Sequence, residues 1–276
     1  MIEVISTAGL AVLQDLGRPG WQQLGISRSG AADRNAHRLA NRLVGNRESA
    51  ATIELTLGGL AFRTLSALTV AATGARCPGL GWNSAVTLAA GTVIALGRPA
   101  HGLRSYLAIR GGIAVAPVLG SRSTDTLSGL GPPPVVAGAR LPAGTEVVAD
   151  PADEALLGAG PSGPLQVVHG PRSDWFDDPD ELYRRPWQVG ADTDRIGIRL
   201  AGVPLARRRD ELPSEPVLPG AIQVPPSGQP IVLFRDAPVT GGYPVIGVVH
   251  SGELDRLAQL RPGQDLRFVR RPDSPA

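Results

Sequence analysis

Turn-forming residues interrupt this chain so often that long helices are excluded over most of its length. Its 276 residues include 35 glycines and 26 prolines, which separate apolar runs of four to eight residues rich in β-branched side chains. Short runs of this kind between turn residues are typical of strands. We therefore predict a mainly β fold, with strands at 2–6, 51–57, 67–73, 86–88, 92–96, 105–110, 145–149, 165–169, 188–189, 196–200, 221–224, 231–235, 245–250 and 265–269.

Few segments have helical periodicity. Residues 31–44 place apolar side chains on one face and end at Gly45, and shorter helices are predicted at 178–185 and 251–260. Turn-rich stretches at 129–144 and 150–164 interrupt the pattern of strands in the middle of the chain. We place a domain boundary in the second stretch, which gives domains 1–155 and 156–276. The periodicity leaves open that the two units interleave.

Composition excludes several functional classes. All 27 basic residues are arginines, so the chain has no lysine for a phosphate-binding loop, a Schiff base or attached biotin. The net charge is only +2 and the arginines are scattered, so no nucleic-acid partner is expected. No apolar run reaches the roughly 18–20 residues of a membrane helix, and the first residues lack the features of a signal peptide. A cytoplasmic protein is expected.

Cysteine and histidine give no sign of a metal centre. Cys77 is the single cysteine, and the four histidines, at 37, 101, 169 and 250, have no ligand-like spacing. Zinc sites need several such residues at characteristic intervals. We therefore predict no metal.

The first polar constellation is the glycine-rich segment 13–30. Gln14, Asp15 and Arg18 lie among glycines before the first helix, where backbone N–H groups and side chains can bind an anion. Pairing of Asp15 with Arg18 in a structural loop is the alternative. Residues 120–125, with two serines and a threonine, suit either an anion cradle or a self-capped turn.

The second constellation lies near the carboxyl end. Its segment Thr-Gly-Gly-Tyr-Pro (240–244) predicts a turn at which the backbone approaches a ligand closely. Asp236 would act as a base or a cation ligand, and Tyr243 as a hydrogen-bond donor. A tight hairpin anchored by its tyrosine is the alternative. The predicted catalytic residues are Asp236 and Tyr243, and the predicted substrate-binding residues are Gln14, Asp15, Arg18, Ser214, Glu215, Gln223, Thr240, Gly241 and Gly242.

With these segments in order, the chain resembles the family of allophanate-hydrolase second subunits, also called biotin-dependent carboxyltransferases. This family includes the C subunit of bacterial ATP-dependent 5-oxoprolinase and an antagonist of a sporulation-kinase inhibitor. The motifs are QDLGRPGWQQLGISRSGAAD (14–33), ELTLGG (54–59), YLAIRGGI (106–113), LGSRSTD (119–125), DRIGIRLAG (194–202), SE (214–215), GAIQVPPSGQPI (220–231) and TGGYP (240–244). The proline run at 132–134 departs from the family pattern.

The resemblance implies two cyclophilin-like β-barrel subdomains. It also implies a complex with a sister subunit of the first allophanate-hydrolase type and a third subunit, which together open 5-oxo-L-proline to L-glutamate. ATP would be used at the level of the complex, since this chain has no recognisable nucleotide motif. One alternative is a urea-type carboxyltransferase or allophanate hydrolase subunit, with biotin carried on another domain. Another is a non-catalytic regulator that binds the sister protein.

In the enzymatic interpretation, the residue types suggest a division of roles. Arg18 and the Gly241 and Gly242 amides would bind an anionic group, Tyr243 would donate to the carbonyl or leaving nitrogen, and Asp236 would orient or deprotonate. This requires the two constellations to meet at one cleft.

Overall fold

The computed structural model describes residues 1–155, 162–208 and 210–272. The chain divides into two compact units. Unit 1 is Met1–Pro19 with Ser29–Ala159, and unit 2 is Gly20–Arg28 with Gly160–Ala276. The predicted domain boundary adjoins residues 156–161, which lie outside the described residues, and it stays a prediction.

Unit 1 is built from two antiparallel sheets. One has the strand order β7-β4-β1-β9 and the other β2-β3-β8-β5-β6. Their apolar faces share one core that contains Val4 and Phe62 from the first sheet and Ile53 and Leu107 from the second. The strands are β1 (Ile2–Thr7), β2 (Ala11–Gln14), β3 (Thr52–Thr56), β4 (Leu60–Thr64), β5 (Leu68–Gly74), β6 (Ala85–Leu88), β7 (Val93–Ala95), β8 (Arg104–Ile109) and β9 (Arg140–Leu141).

Helix α1 (Arg34–Leu43) packs on the five-stranded sheet of unit 1. Asp33 caps it, because its carboxylate accepts a hydrogen bond from the amide nitrogen three residues later (2.9 Å), which satisfies one of the unpaired donors of a helix start. Leu39 and Leu43 lie on the buried face, in a cluster with Tyr106 of β8. The helix therefore fixes the position of the segment that precedes it.

Unit 2 contains one eight-stranded sheet, in the order β18-β11-β12-β15-β14-β17-β10-β19, and a two-stranded ribbon, β13-β16. Only the β10–β19 pair of the described strands is parallel. The strands are β10 (Leu165–His169), β11 (Trp187–Val189), β12 (Gly197–Ala201), β13 (Glu215–Pro216), β14 (Ala221–Gln223), β15 (Ile231–Leu233), β16 (Thr240–Gly241), β17 (Val245–Val249), β18 (Asp265–Leu266) and β19 (Phe268–Arg270). The helices are α2 (Glu181–Arg184) and α3 (Leu254–Leu257), with 3-10 turns at Gln22–Leu24, Ser173–Trp175 and Ser251–Glu253.

The mainly β prediction with few short helices is confirmed. The strand predicted at 145–149 is wrong: the backbone nitrogens of Val148 and Ala149 donate to the carbonyl of Gly45, so this apolar run closes the end of α1. The helices at 178–185 and 251–260 are shorter than predicted. No described helix has both the length and the apolar character needed to cross a bilayer.

Candidate functional site

The first polar cluster lies in unit 1, where β2 ends at Gln14 and the chain turns through a glycine-rich loop. Gly17 adopts φ +84°, a left-handed conformation that favours glycine. Gly30 packs against this turn, and a Cβ there would lie 2.9 Å from the Gly17 nitrogen. Close backbone packing is therefore the local reason for these two glycines.

Asp15 is the centre of this loop. One carboxylate oxygen accepts from the hydroxyls of Ser121 and Ser123 (both 2.6 Å) and from the Gly17 nitrogen (2.8 Å). The other accepts from the backbone nitrogen of Arg122 (2.6 Å). The hydrogen bonds from this buried carboxylate thus stabilise segment 121–123. This geometry argues against the predicted role of Asp15 in binding substrate, and it makes the serine-rich segment a partner of Asp15.

The alternative expectation, an Asp15–Arg18 ion pair, is wrong. Arg18 is fully buried, and one terminal nitrogen, Nη2, donates to the carbonyl of Ser123. Its Nε and Nη1 have no hydrogen-bond partner in the described part of the chain. Gln14 is also fully buried; its Nε2 donates to the carbonyl of Thr124 (2.8 Å), and its Oε1 has no partner among the same residues.

His37 of α1 belongs to the same polar interior, although sequence reasoning found nothing in the histidines. Its ring nitrogens lie 2.9 Å from the Thr52 hydroxyl and 3.0 Å from the Glu48 carbonyl oxygen. Burial lowers the pKa of His37 to about 4, since a charged ring is poorly solvated there. Nearby, Glu54 accepts from the Tyr106 hydroxyl (2.8 Å), and burial raises the pKa of that tyrosine.

The second polar cluster lies in unit 2, around the ribbon that pairs Glu215 with Gly241. Arg172 donates to both carboxylate oxygens of Glu215. Hydrogen bonding to this guanidinium lowers the pKa of Glu215. The backbone nitrogen of Arg172 also donates to the carbonyl of Val245 (3.1 Å), which ties the segment before the 3-10 turn to the start of β17. The ribbon thus carries a carboxylate held in its charged form.

The turn that follows the ribbon presents polar groups of a different kind. Gln223 is almost fully buried, and its Nε2 donates to the Tyr243 carbonyl (3.2 Å). A Cβ at Gly241 would lie 2.5 Å from that Nε2, so a side chain at position 241 would displace the flexible Gln223 amide. The Tyr243 side chain is 43% exposed. Within the described residues, neither its hydroxyl nor the Gln223 Oε1 makes a hydrogen bond.

The structure therefore brings together one group of predicted residues in unit 2. Ser214 lies beside Gly242, where a Cβ would be 3.9 Å from its Oγ. The members of this group are Ser214, Glu215, Gln223, Thr240, Gly241, Gly242 and Tyr243. Gln14, Asp15 and Arg18 form the separate group in unit 1, and a common cleft for the two groups stays a prediction.

Asp236 occupies a different environment from the one its predicted role needs. It is fully buried, and its two oxygens accept from Nε and Nη2 of Arg195 (2.8 and 2.9 Å). Its backbone nitrogen also donates to the Arg195 carbonyl (2.9 Å). A general base must reach the proton it removes, and this carboxylate is enclosed and already paired. The geometry favours a positioning role for Asp236 rather than proton abstraction.

One contact in unit 2 was missed by sequence reasoning. The Nε2 of His169, at the end of β10, lies 2.6 Å from the Oγ of Ser173. Both belong to the segment that Arg172 ties to β17. The turn after β10 brings His169 and Ser173 together, and the spacing of the histidines in the sequence does not indicate this contact. Among the described residues, no group of three or more side chains forms a potential metal site.

This fold agrees with a comparison to protein families. Residues 24–270 match the carboxyltransferase domain, subdomain A and B, and the chain belongs to this family. It is 40% identical to the C subunit of 5-oxoprolinase from Escherichia coli (strain K12), over 98% of this chain and 91% of that protein.

Larger proteins contain a similar region. The chain is 31% identical to urea amidolyase of Lachancea kluyveri, over 97% of this chain but only 17% of that protein. The crystal structure of K. lactis urea amidolyase superimposes with a TM-score of 0.87 at 27% identity, covering 98% of this chain and 18% of that one. The chain thus corresponds to one part of these larger proteins and to nearly the whole of the bacterial one.

Proposed function

We propose that this chain is a subunit of an ATP-dependent 5-oxoprolinase complex that opens 5-oxo-L-proline to L-glutamate. The observation that carries the proposal is the 40% identity to the C subunit of 5-oxoprolinase over nearly the full length of both proteins. We further propose that the enzyme is completed by a sister subunit and a third subunit, and that it works in the cytoplasm, where ATP is supplied.

The turn in unit 2 supplies groups that suit the substrate amide. A lactam carbonyl is a poor electrophile, so its opening needs activation and a donor placed where negative charge develops. The Tyr243 hydroxyl, unbonded within the described residues, is such a donor, and the Gln223 Oε1 is an acceptor suited to an amide N–H. We assign substrate contact to this pair. Asp236 holds Arg195 and acts as a positioning residue.

ATP enters this proposal at the level of the complex. Activation of a lactam oxygen by phosphoryl transfer makes the ring carbon attackable by water, and this chain has no phosphate-binding loop or lysine to hold the nucleotide. The other subunits are therefore assigned nucleotide binding, and this chain contributes groups that hold the reacting amide.

A second candidate is a urea-type carboxyltransferase. It is favoured by the family match to a carboxyltransferase domain and by the similarity to urea amidolyase. In that reaction, carboxybiotin on another protein or domain would deliver its carboxyl group to a urea nitrogen. The same tyrosine and glutamine suit the ureido group, because it also combines a carbonyl with an N–H.

Reconstitution separates the two candidates. The chain is purified with its sister and third subunits, and ATP hydrolysis and glutamate formation are measured with and without 5-oxo-L-proline. We expect turnover that depends on both ATP and 5-oxo-L-proline. Absence of this activity, together with carboxylation of urea when a carboxybiotin donor is added, would select the carboxyltransferase. A tight complex inactive in both assays would favour the regulatory alternative.

A further inference from the structure

Unit 2 contains an open cleft of about 550 Å³ that the proposed function does not use. Its walls are the segments 204–208 and 226–228. Sites for small molecules usually have volumes of about 300–1,000 Å³ and combine apolar walls with a few polar groups. This cleft meets both conditions, because a proline on each wall provides apolar surface, while two arginines on one wall and a serine on the other provide polar groups.

Backbone hydrogen bonds hold the two walls in place. The backbone nitrogen of Leu205 donates to the carbonyl of Gly228, and the nitrogen of Gly228 donates to the carbonyl of Pro225 (both 2.9 Å). Gly228 adopts φ +73°, and a Cβ there would lie 2.8 Å from the Leu205 carbonyl oxygen, so glycine allows the walls to approach this closely. The nitrogen of Arg208 donates to the carbonyl of Trp175 (2.9 Å). The cleft is therefore formed without a ligand, and binding there needs little ordering of the chain.

The cleft carries positive charge that its surroundings do not neutralise. The Arg207 side chain makes no ion pair or hydrogen bond with any described residue, and its Nε is enclosed. The Arg208 side chain is 56% exposed, and its Nη1 lies 3.9 Å from the exposed carboxylate of Asp174, a pair that contributes little. Within the described part of the chain, Asp210 and Glu211 pair with neither arginine. The two guanidinium groups thus remain available to an anion.

The polar groups on the two walls suit a tetrahedral anion. A guanidinium group pairs with a phosphate through two parallel hydrogen bonds. On the facing wall, the Ser227 hydroxyl oxygen accepts from the Gln229 nitrogen (3.4 Å), and its O–H has no acceptor among the described residues. A carboxylate offers two oxygens in one plane, whereas a phosphate group offers three oxygens and more charge. Donors on opposing walls therefore favour the phosphate group.

We propose that this cleft binds a phosphate group. Arg207 and Arg208 supply the positive charge, and Ser227 donates a hydrogen bond from the opposite wall. Free phosphate and a small organic phosphate share this chemistry, and the volume of the cleft and its prolines leave room for an organic body. The experiment below separates these two sources.

The cleft lies near the turn that carries Tyr243. The backbone nitrogen of Val224 donates to the carbonyl of Pro244 (3.1 Å), and the wall at 226–228 begins three residues after Gln223, a span of at most about 11 Å. Phosphate released by ATP hydrolysis would therefore be produced close to this site if the proposed function holds. The site itself does not rest on that function, because its charge and shape are observed independently.

Equilibrium binding to the full chain tests the site. Inorganic phosphate, AMP and acetate are compared by calorimetry at one ionic strength. We expect phosphate to bind at least about 10-fold more tightly than acetate, because acetate lacks one charge-assisted hydrogen bond. Tighter binding of AMP than of phosphate would identify an organic phosphate as the ligand, and weaker binding of AMP would identify free phosphate. If neither phosphate nor AMP binds more tightly than acetate, the proposal is overturned.

Variants locate the binding. Arg207→Met should weaken binding of the preferred phosphate probe about 10- to 100-fold, and Ser227→Ala about 3- to 10-fold. Arg185→Met is the matched control, because this half-exposed arginine of unit 2 pairs with Glu181 at 3.7 Å and lies outside the cleft; it should bind as the wild type does. If Arg207→Met does not fold, Ser227→Ala decides, because Ser227 is exposed. Wild-type affinity in the cleft variants would place the phosphate elsewhere and reject the site.

The outcomes also separate this inference from the proposed function. Phosphate binding that needs Arg207, in a complex without ATP-dependent turnover, would support the site and reject the oxoprolinase assignment. ATP-dependent turnover in a complex whose phosphate affinity does not change in Arg207→Met would support the assignment and reject the site.

Discussion

The two polar clusters differ in how their charges are balanced. In unit 2, Asp236 faces Arg195 and Glu215 faces Arg172, so both carboxylates have a guanidinium partner. In unit 1, Asp15 is neutralised by hydroxyl and backbone donors, while Arg18 keeps two donors that no described residue uses. A buried charge with a counter-charge is compensated, whereas one without a counter-charge lowers the stability of the fold. In our proposal, Asp236 and Asp15 therefore act as positioning residues, and Gln223 and Tyr243 contact the ligand.

The largest expected effect tests the balanced charge. Asp236→Asn leaves Arg195 buried without a counter-charge and should lower the free energy of unfolding by about 3–5 kcal/mol. Arg18→Met should stay within about 1 kcal/mol of the wild type, since an apolar side chain replaces an unbalanced charge. Urea denaturation of both variants measures the contrast. Equal losses of unfolding free energy in the two variants would show that Arg195 and Arg18 do not differ in how their charges are compensated.

The next effect concerns the exposed hydroxyl of the unit 2 turn. Tyr243→Phe should lower kcat of the reconstituted complex about 10²–10³-fold, the usual loss for one preorganised donor. Its thermal midpoint should not change, because the side chain is 43% exposed and its hydroxyl unbonded among the described residues. Tyr183→Phe, at a tyrosine that contacts Arg270 instead, is the control. Full activity in Tyr243→Phe would remove this hydroxyl from the mechanism.

The interior of unit 1 should respond to pH through His37. Its pKa is about 4 in the folded chain, below the roughly 6.5 of an unfolded histidine. Between these values the unfolded state binds more protons, so stability is complete above about pH 6.5 and falls as the pH drops towards 4. The loss attributable to this residue is about 3 kcal/mol. Denaturation at pH 7 and pH 4 measures it, and His37→Gln should flatten this part of the profile; an unchanged slope would contradict it.

The smallest effect compares two adjacent glycines. Gly241→Ala places a methyl group 2.5 Å from the Gln223 Nε2, so the flexible glutamine moves and the backbone stays. We expect a stability loss below about 1 kcal/mol and a KM increase of up to about tenfold from a misplaced neutral hydrogen bond. Gly242→Ala meets its first neighbour at 3.3 Å and should change KM less than about twofold. Similar KM values for the two variants would show that Gln223 does not contact substrate.

Sequence reasoning located the strands where apolar runs face a core. Leu165–His169 was predicted with the correct bounds, and most other long strands to within two residues. The missed strands include Leu60–Thr64, which follows the Gly58-Gly59 turn, Ala11–Gln14, which adjoins the polar loop, and the two-residue strands of the ribbon. Short strands lack a periodic pattern, because their pairing depends on a distant segment. For the same reason, residues 145–149 resembled a strand although they close the end of α1.

The candidate site residues also divide into those that the sequence identified and those whose role depends on distant neighbours. Motif resemblance identified Gln223, Tyr243 and the glycines of the turn, and the structure brings these together in unit 2. It also selected Asp15 and Asp236, whose carboxylates accept hydrogen bonds from other residues of the same unit. Residue type indicates what a side chain is able to do, while its neighbours decide whether that capacity is still free.

The sequence by itself determined the mainly β class, the first helix and the family, because local periodicity, turn residues and ordered motifs are properties of the chain. Tertiary structure alone decided which charges are balanced. Arg195 meets Asp236 from 41 residues away, and Asp15 meets Ser123 across 108 residues. Electrostatic and hydrogen-bond energies depend on distance and burial in space, and separation along the chain specifies neither.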